Sequence, residues 1–136
     1  MKSAIRDPAE LCRELGLSTE LIHEFASDSF RLFAPRGYVA KMVPGDPRDP
    51  LLLQVLPRAE ETQAANGFVA DPVGDLKASL TPGLIHKYHG RVLLVATGAC
   101  AIHCRYCFRR HFPYETTPRT LEAWRPAIQQ IASDGS

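Results

Sequence analysis

Arg91-Val92-Leu93-Leu94-Val95-Ala96-Thr97-Gly98-Ala99-Cys100-Ala101-Ile102-His103-Cys104-Arg105-Tyr106-Cys107-Phe108-Arg109-Arg110 is the stretch on which the fold turns. Its opening, between Gly90 and Gly98, is a compact apolar run without polar alternation. Such a run predicts a strand buried on both faces, the pattern of a parallel sheet. A loop carrying three cysteines follows at once. Beyond it, Pro113 to Pro118 reads as a connector, and Thr120 as the cap of a helix reaching about Ala132. Pro126 lies inside that helix and is expected to kink it or reset its start. Strand, long loop, helix makes one βα unit, and α/β sheets and barrels place their chemistry at the strand's C-terminal end. The fold expected is therefore α/β: a helical and irregular region over residues 1–85, then the first βα unit of a sheet or barrel over 86–136. A full barrel needs roughly 250 residues, so the chain is expected to be the N-terminal part of a larger enzyme.

Upstream, proline and glycine divide the chain into short elements; eleven prolines are many for 136 residues. Asp7-Pro8 predicts a helix start, with an acidic cap and Pro in the first turn, and Leu11, Cys12 and Leu15 give it one apolar face up to Gly16. Ser18 predicts the cap of a second helix carrying Leu21, Ile22 and Phe25. Phe30 to Met42 is apolar but divided by Pro35 and Gly37. After the turn-rich Pro44–Pro50, Asp49-Pro50 starts a short buried helix through Leu51–Leu56 that Pro57 ends. Residues 58–85 carry mainly turn signals, at Asn66-Gly67, Asp71-Pro72 and Thr81-Pro82-Gly83, and are expected to be mostly irregular.

The composition, 45% hydrophobic and 23% charged, excludes whole-chain disorder, because enough apolar surface is available to offset ordering entropy. Apolar runs of a few residues exclude a transmembrane helix, and no apolar stretch follows Met1-Lys2 as in a secretory signal. The net charge of +1 hides an uneven distribution. Residues 1–85 hold nine Lys/Arg against twelve Asp/Glu, whereas 86–119 hold six against one, with four of the five histidines. That basic segment calls for an anionic partner.

Cys12 stands alone, while Cys100, Cys104 and Cys107 crowd eight residues. With no secretory signal, a reducing, cytoplasmic setting and a metal or cluster site explain them better than disulfides. Thiolates at C-x3-C-x2-C spacing select zinc, copper(I) or iron–sulfur clusters. Three ligands on a four-iron cubane leave one iron open, and the surrounding basic residues are expected to lower the thiol pKa values. Zinc would need His103 or His111 as fourth ligand. Packed structural cysteines, or an RNA-binding patch in which aromatics stack on bases, are further readings; the last leaves the cysteines unexplained. His86, His89, His103 and His111 read as hydrogen-bonded loop residues, and Cys12 as a packed core thiol.

The C-x3-C-x2-C motif with Tyr106 before its last cysteine resembles that of the radical S-adenosylmethionine enzymes. Arg105-Tyr106-Cys107-Phe108-Arg109-Arg110 is similar to their lysine 2,3-aminomutase family. Pro82-Gly83-Leu84-Ile85-His86-Lys87-Tyr88-His89 and Arg109-Arg110-His111-Phe112-Pro113-Tyr114 resemble the bacterial branch that supplies β-lysine for modifying elongation factor P. Asp49–Leu56 and Gly67-Phe68 to Asp71-Pro72 fit as well, so the resemblance spans roughly residues 35–119.

The resemblance implies a partial TIM barrel, of which this chain holds the first strand, cluster loop and first helix. It implies that Cys100, Cys104 and Cys107 bind a 4Fe–4S cluster whose fourth iron takes S-adenosylmethionine, with Tyr106 against the adenine. Arg109 matches the arginine that holds the substrate carboxylate, a task suited to a guanidinium fork. Lys87, Tyr88 and Arg91 match positions near pyridoxal phosphate, although Lys87 stands where relatives carry Arg. The reaction implied is conversion of L-lysine to β-lysine by 2,3-amino migration, with a flavodoxin- or ferredoxin-type reductant and neither nucleic acid nor membrane as partner. Another amino acid, such as glutamate, would suit Arg109 equally. The lysine that holds pyridoxal phosphate and the acidic groups for the substrate's side-chain amine are expected beyond residue 136. The 136 residues alone are thus expected to be inactive.

Overall fold

The computed structural model describes residues 4–22, 28, 30–63 and 66–136. They fall into two compact units, one made of residues 1–68 with 100–107 and the other of 69–99 with 108–136. The described secondary structure is mixed α and β.

In the first unit, Asp7 caps helix α1 (Pro8–Glu14) by accepting the Ala9 N–H at 2.9 Å, and Pro8 occupies the first turn as expected. Ser18 also caps, but only a 3-10 turn over Thr19–Leu21 follows it; Phe25 lies outside the described residues. Strand β1 (Ala4–Ile5) pairs antiparallel with β2 (Ala34–Pro35), aligning Ile5 with Ala34. The stretch divided by Pro35 and Gly37 becomes that strand and the short helix α2 (Arg36–Val39). Asp49 starts helix α3 (Pro50–Leu53) as its sequence predicts. Its buried carboxylate accepts from Leu51 N at 2.8 Å and Leu52 N at 2.9 Å, and also ties down Val43 N at 3.0 Å. These elements enclose a core of Ile5, Leu11, Cys12, Leu15, Leu32, Leu52, Val55 and Leu56. Cys12 is fully buried there, as the apolar face of α1 requires.

The second unit holds a three-stranded antiparallel sheet in the order β3 (Ser79–Thr81), β4 (Leu84–Tyr88), β5 (Arg91–Leu94). Residues 58–85 are mostly irregular as expected, with the turn at Pro82-Gly83, but Ser79–Thr81 and the start of β4 within them are strand. The expectation for the apolar run is corrected: β5 is neither parallel nor buried. It pairs with β4 through the two-residue turn His89-Gly90, with Tyr88 opposite Arg91. Gly90, at φ +73°, supplies the left-handed conformation that the reversal uses. A strand joined to its neighbour by so short a turn can only run antiparallel. Val92, Leu93 and Leu94 keep 36%, 42% and 42% of their surface exposed, and Val95 alone of that run is buried. Uninterrupted hydrophobicity thus gave the strand but not its neighbours.

Thr120 caps helix α4 (Leu121–Ser133), accepting Ala123 N at 3.2 Å, and the helix runs on through Pro126 without a new start. Its Trp124 lies directly over Gly83: a Cβ there would come within 2.6 Å of Trp124 Cη2. Among the described residues no helix is long and apolar enough to cross a membrane.

Candidate functional site

The cysteine loop, residues 100–107, belongs to the first unit. The residues between the cysteines are those that fix it. Ile102 packs on the hydrophobic core. His103 donates its backbone N–H to the Phe33 carbonyl at 3.0 Å, and its ring stacks on Phe30 with centroids 5.1 Å apart. His103 Nδ1 lies 3.0 Å from the Arg31 carbonyl oxygen. This is the hydrogen-bonded loop histidine expected from sequence. Arg105 donates its backbone N–H to the Gln54 carbonyl at 2.7 Å. Its buried guanidinium makes a two-pronged pair with Glu61, Nε to Oε1 at 2.8 Å and Nη2 to Oε2 at 2.6 Å, and also donates to the Phe30 carbonyl.

Ile102, His103 and Arg105 are thus engaged behind the loop, whereas Ala101 and Tyr106 are exposed. Cys100 is exposed, Cys104 and Cys107 are half-buried, and all three are free thiols. A turn closes the loop, Cys107 N donating to the Cys104 carbonyl at 3.0 Å. Among the described residues, no three His, Cys, Asp or Glu side chains converge as a ready site for one metal ion. The thiols are nonetheless near enough to act on one another. Burial first, then the Cys100 and Cys107 charges, push the Cys104 thiol above its ordinary pKa, against a hydrogen bond with Tyr106 that pulls it down. This corrects the expectation that nearby basic residues lower it: the charge of Arg105 is engaged by Glu61. A bound metal would deprotonate the thiols outright. A set of three soft donors on a loop fixed from behind fits a thiolate-ligated cluster. Tyr106 is 72% exposed, its ring open to a planar ligand.

The remaining sequence candidates meet in the second unit. Lys87, Tyr88, Arg91 and Arg109 line one cavity of about 520 Å³, with Asp75, Ile85 and Phe108 among its other walls. Lys87 and Tyr88 come from β4, Arg91 from the start of β5, and Arg109 from the chain after the cysteine loop. The Arg91 guanidinium lies over the Tyr88 ring at 4.9 Å, and that of Arg109 over the Phe108 ring at 4.9 Å. The cavity so lined suits an anionic ligand with a flat, apolar part.

Asp75 is the residue that sequence reading missed. Its side chain is 4% exposed and joins two of the cations: Oδ2 accepts from Arg109 Nε at 2.8 Å, and Oδ1 from Lys87 Nζ. Lys87 Nζ also donates to the Val73 carbonyl. Burial raises the Asp75 carboxyl pKa, but the Lys87 and Arg109 bonds outweigh it and hold the group below the ordinary carboxylate range. The available signal was Asp71-Pro72-Val73-Gly74-Asp75, in which a turn-forming aspartate precedes a second one. Asp71 Oδ1 accepts Asp75 N and Oδ2 accepts Leu76 N, both at 2.9 Å, which sets the backbone that carries Asp75.

No family model matches the chain. It is 42% identical over 136 residues to the L-lysine 2,3-aminomutase of Escherichia coli (strain K12), covering 98% of this chain and 40% of that protein. It is 40% identical over 135 residues to the L-lysine 2,3-aminomutase of Haemophilus influenzae, with the same two coverages. The L-lysine 2,3-aminomutase of Clostridium subterminale is 39% identical over 117 residues, 79% of this chain and 28% of that protein. The chain spans about two fifths of the length of the first two of these relatives.

Proposed function

We propose that this chain is the N-terminal part of an L-lysine 2,3-aminomutase of the radical S-adenosylmethionine type, in which L-lysine becomes β-lysine by migration of an amino group from C2 to C3. The observation that carries the reading is the 42% identity maintained over nearly the whole chain. The free thiols of Cys100, Cys104 and Cys107 on one anchored loop support it, as does the meeting of Lys87, Tyr88, Arg91 and Arg109 on one cavity. The strand, loop and helix of residues 91–133 would then begin a partial barrel whose further strands are supplied by chain beyond these residues.

Cys100, Cys104 and Cys107 would hold a 4Fe–4S cluster together with S-adenosylmethionine, and Lys87, Tyr88 and Arg91 would stand near pyridoxal phosphate. When bound, these groups supply one-electron chemistry and a stabilising site for the migrating nitrogen. The chain's own residues bind and orient. On binding metal the three thiols would serve as thiolates, their protons released to solvent, and Tyr106 would offer an aromatic face to the adenine. Lys87 and Arg91 bring positive charge to a phosphate, and Arg109 grips the substrate carboxylate with two parallel N–H bonds. A reducing, cytoplasmic setting suits the unpaired thiols. The similarity of residues 82–89 and 109–114 to the elongation factor P branch supports β-lysine supply for that factor as the role, with a flavodoxin- or ferredoxin-type reductant.

Anaerobic reconstitution of the chain with iron and sulfide tests the cluster directly. The expected product is brown, with broad visible absorption and about four irons per chain. Cys104→Ala is expected to abolish iron binding, whereas Cys12→Ala leaves it intact because that thiol lies in the core. A colourless protein holding one tightly bound zinc would overturn the reading. The isolated chain is expected to form no β-lysine, whereas the same residues within a protein of the relatives' length are expected to form it.

A further inference from the structure

We infer that Asp75 is a positioning residue for Arg109: its buried carboxylate holds the guanidinium by Nε and leaves the two terminal nitrogens as a pre-aimed fork for a ligand carboxylate. The inference rests on the proposed role of Arg109 and adds what makes that arginine competent. A guanidinium has two edges that can pair with a carboxylate, and a free side chain with four rotatable bonds offers neither in a fixed direction. Here the Nε is occupied by Asp75 Oδ2 at 2.8 Å. The Phe108 ring covers one face at 4.9 Å. Neither Nη has a protein acceptor among the described residues, although Arg109 lines the cavity. One edge clamped, one face covered and the end open is the geometry of a receptor for a second carboxylate.

The charges point the same way. Lys87, Arg91 and Arg109 line one cavity, and among the described residues Asp75 is the sole carboxylate lining it. By bridging Lys87 and Arg109, Asp75 keeps two like charges together that would otherwise repel, and it leaves the cavity with a net charge of about +2. A ligand presenting a phosphate and a carboxylate is opposite in sign to that charge. With three uncompensated cations Arg109 would swing toward solvent. Asp75 is itself held, because Asp71 fixes the backbone N–H of Asp75.

Two measurements test the inference. The first uses this chain with 15N-labelled arginine, the Arg109 signals being assigned through Arg109→Lys. The Arg109 Nε–H is expected to exchange slowly with water, and to lose that protection in Asp75→Asn. Added sodium acetate, against sodium chloride at equal ionic strength, should shift the Nη signals while the Nε–H stays protected. Loss of Nε–H protection on adding acetate would mean that Asp75 competes with the ligand, and would overturn the inference. If the Nε–H is protected but acetate moves nothing at Nη, the carboxylate-binding role of Arg109 fails while the clamp stands.

The second uses the enzyme of the relatives' length, at saturating pyridoxal phosphate. Asp75→Asn is expected to raise KM for L-lysine about tenfold or more with kcat changed by less than about threefold, because a misaimed fork weakens binding. Asp75→Glu, which restores the charge, should recover part of the loss. Mere structural damage would lower kcat through lost active protein and leave KM in place; that outcome would overturn the inference. If Asp75→Asn does not fold, the wild-type exchange measurement decides alone.

Discussion

Arg105 and Asp49 illustrate how single side chains hold this chain in shape. Arg105 sits between Cys104 and Cys107 in sequence, yet its guanidinium is buried against Glu61. A buried charge that loses its partner remains desolvated without compensation. Glu61→Gln is therefore expected to destabilise the first unit by about 3 kcal/mol, read as an earlier urea midpoint, and to loosen the cysteine loop. Asp49 gives a pH signature. Hydrogen bonds from the backbone of Leu52, Val43 and Leu51 hold its carboxyl below the ordinary range, against the opposing effect of burial. A carboxyl depressed in the folded state stabilises the fold above its unfolded pKa, near 4, and loses that contribution as pH falls through the folded value. Thermal melts from pH 6 down to pH 2 should show the loss, and Asp49→Asn should flatten that part of the curve. Asp49 was legible in sequence because a cap is read from adjacent residues. Asp75 was not, since its partners Lys87 and Arg109 lie 12 and 34 residues away.

The same division between near and far governs whole elements. The starts of α1, α3 and α4 were all legible, at Asp7-Pro8, Asp49-Pro50 and Thr120, since helix initiation is local chemistry. The sheet was legible only in part. β5 announced itself as an apolar run, but β4 reads Leu84-Ile85-His86-Lys87-Tyr88, without alternation, and strand pairing depends on neighbours distant in sequence. Burial was misjudged for the same reason: an unbroken apolar strand reveals that it can be covered, not what covers it. Gly83, between β3 and β4, makes the packing of α4 testable. It combines φ +79° with a Trp124 contact that leaves no room for a methyl group. Gly83→Ala is expected to cost about 2 kcal/mol or more, through backbone strain and the displaced indole. Trp124 fluorescence followed through a urea titration would report both the lower midpoint and the altered indole environment.

At the scale of the molecule, each unit carries one ingredient of the proposed chemistry: the thiols in one, the cationic cavity in the other. The crowding of three thiols on one loop was legible in the sequence. The grouping of cavity residues required the sheet. The order in which the cysteine loop acquires its shape follows from the side chains behind it. Ile102, His103 and Arg105 are secured by the core, by aromatic stacking and by Glu61. A zinc finger, by contrast, collapses when its ion is withdrawn. Stripping iron from the reconstituted chain with a chelator is expected to bleach its colour yet leave far-ultraviolet circular dichroism and melting temperature nearly unchanged. The scaffold would then survive repeated loss and rebuilding of an oxygen-sensitive inorganic centre, so that oxidative damage becomes repairable by resupplying iron and sulfide rather than by synthesising new protein.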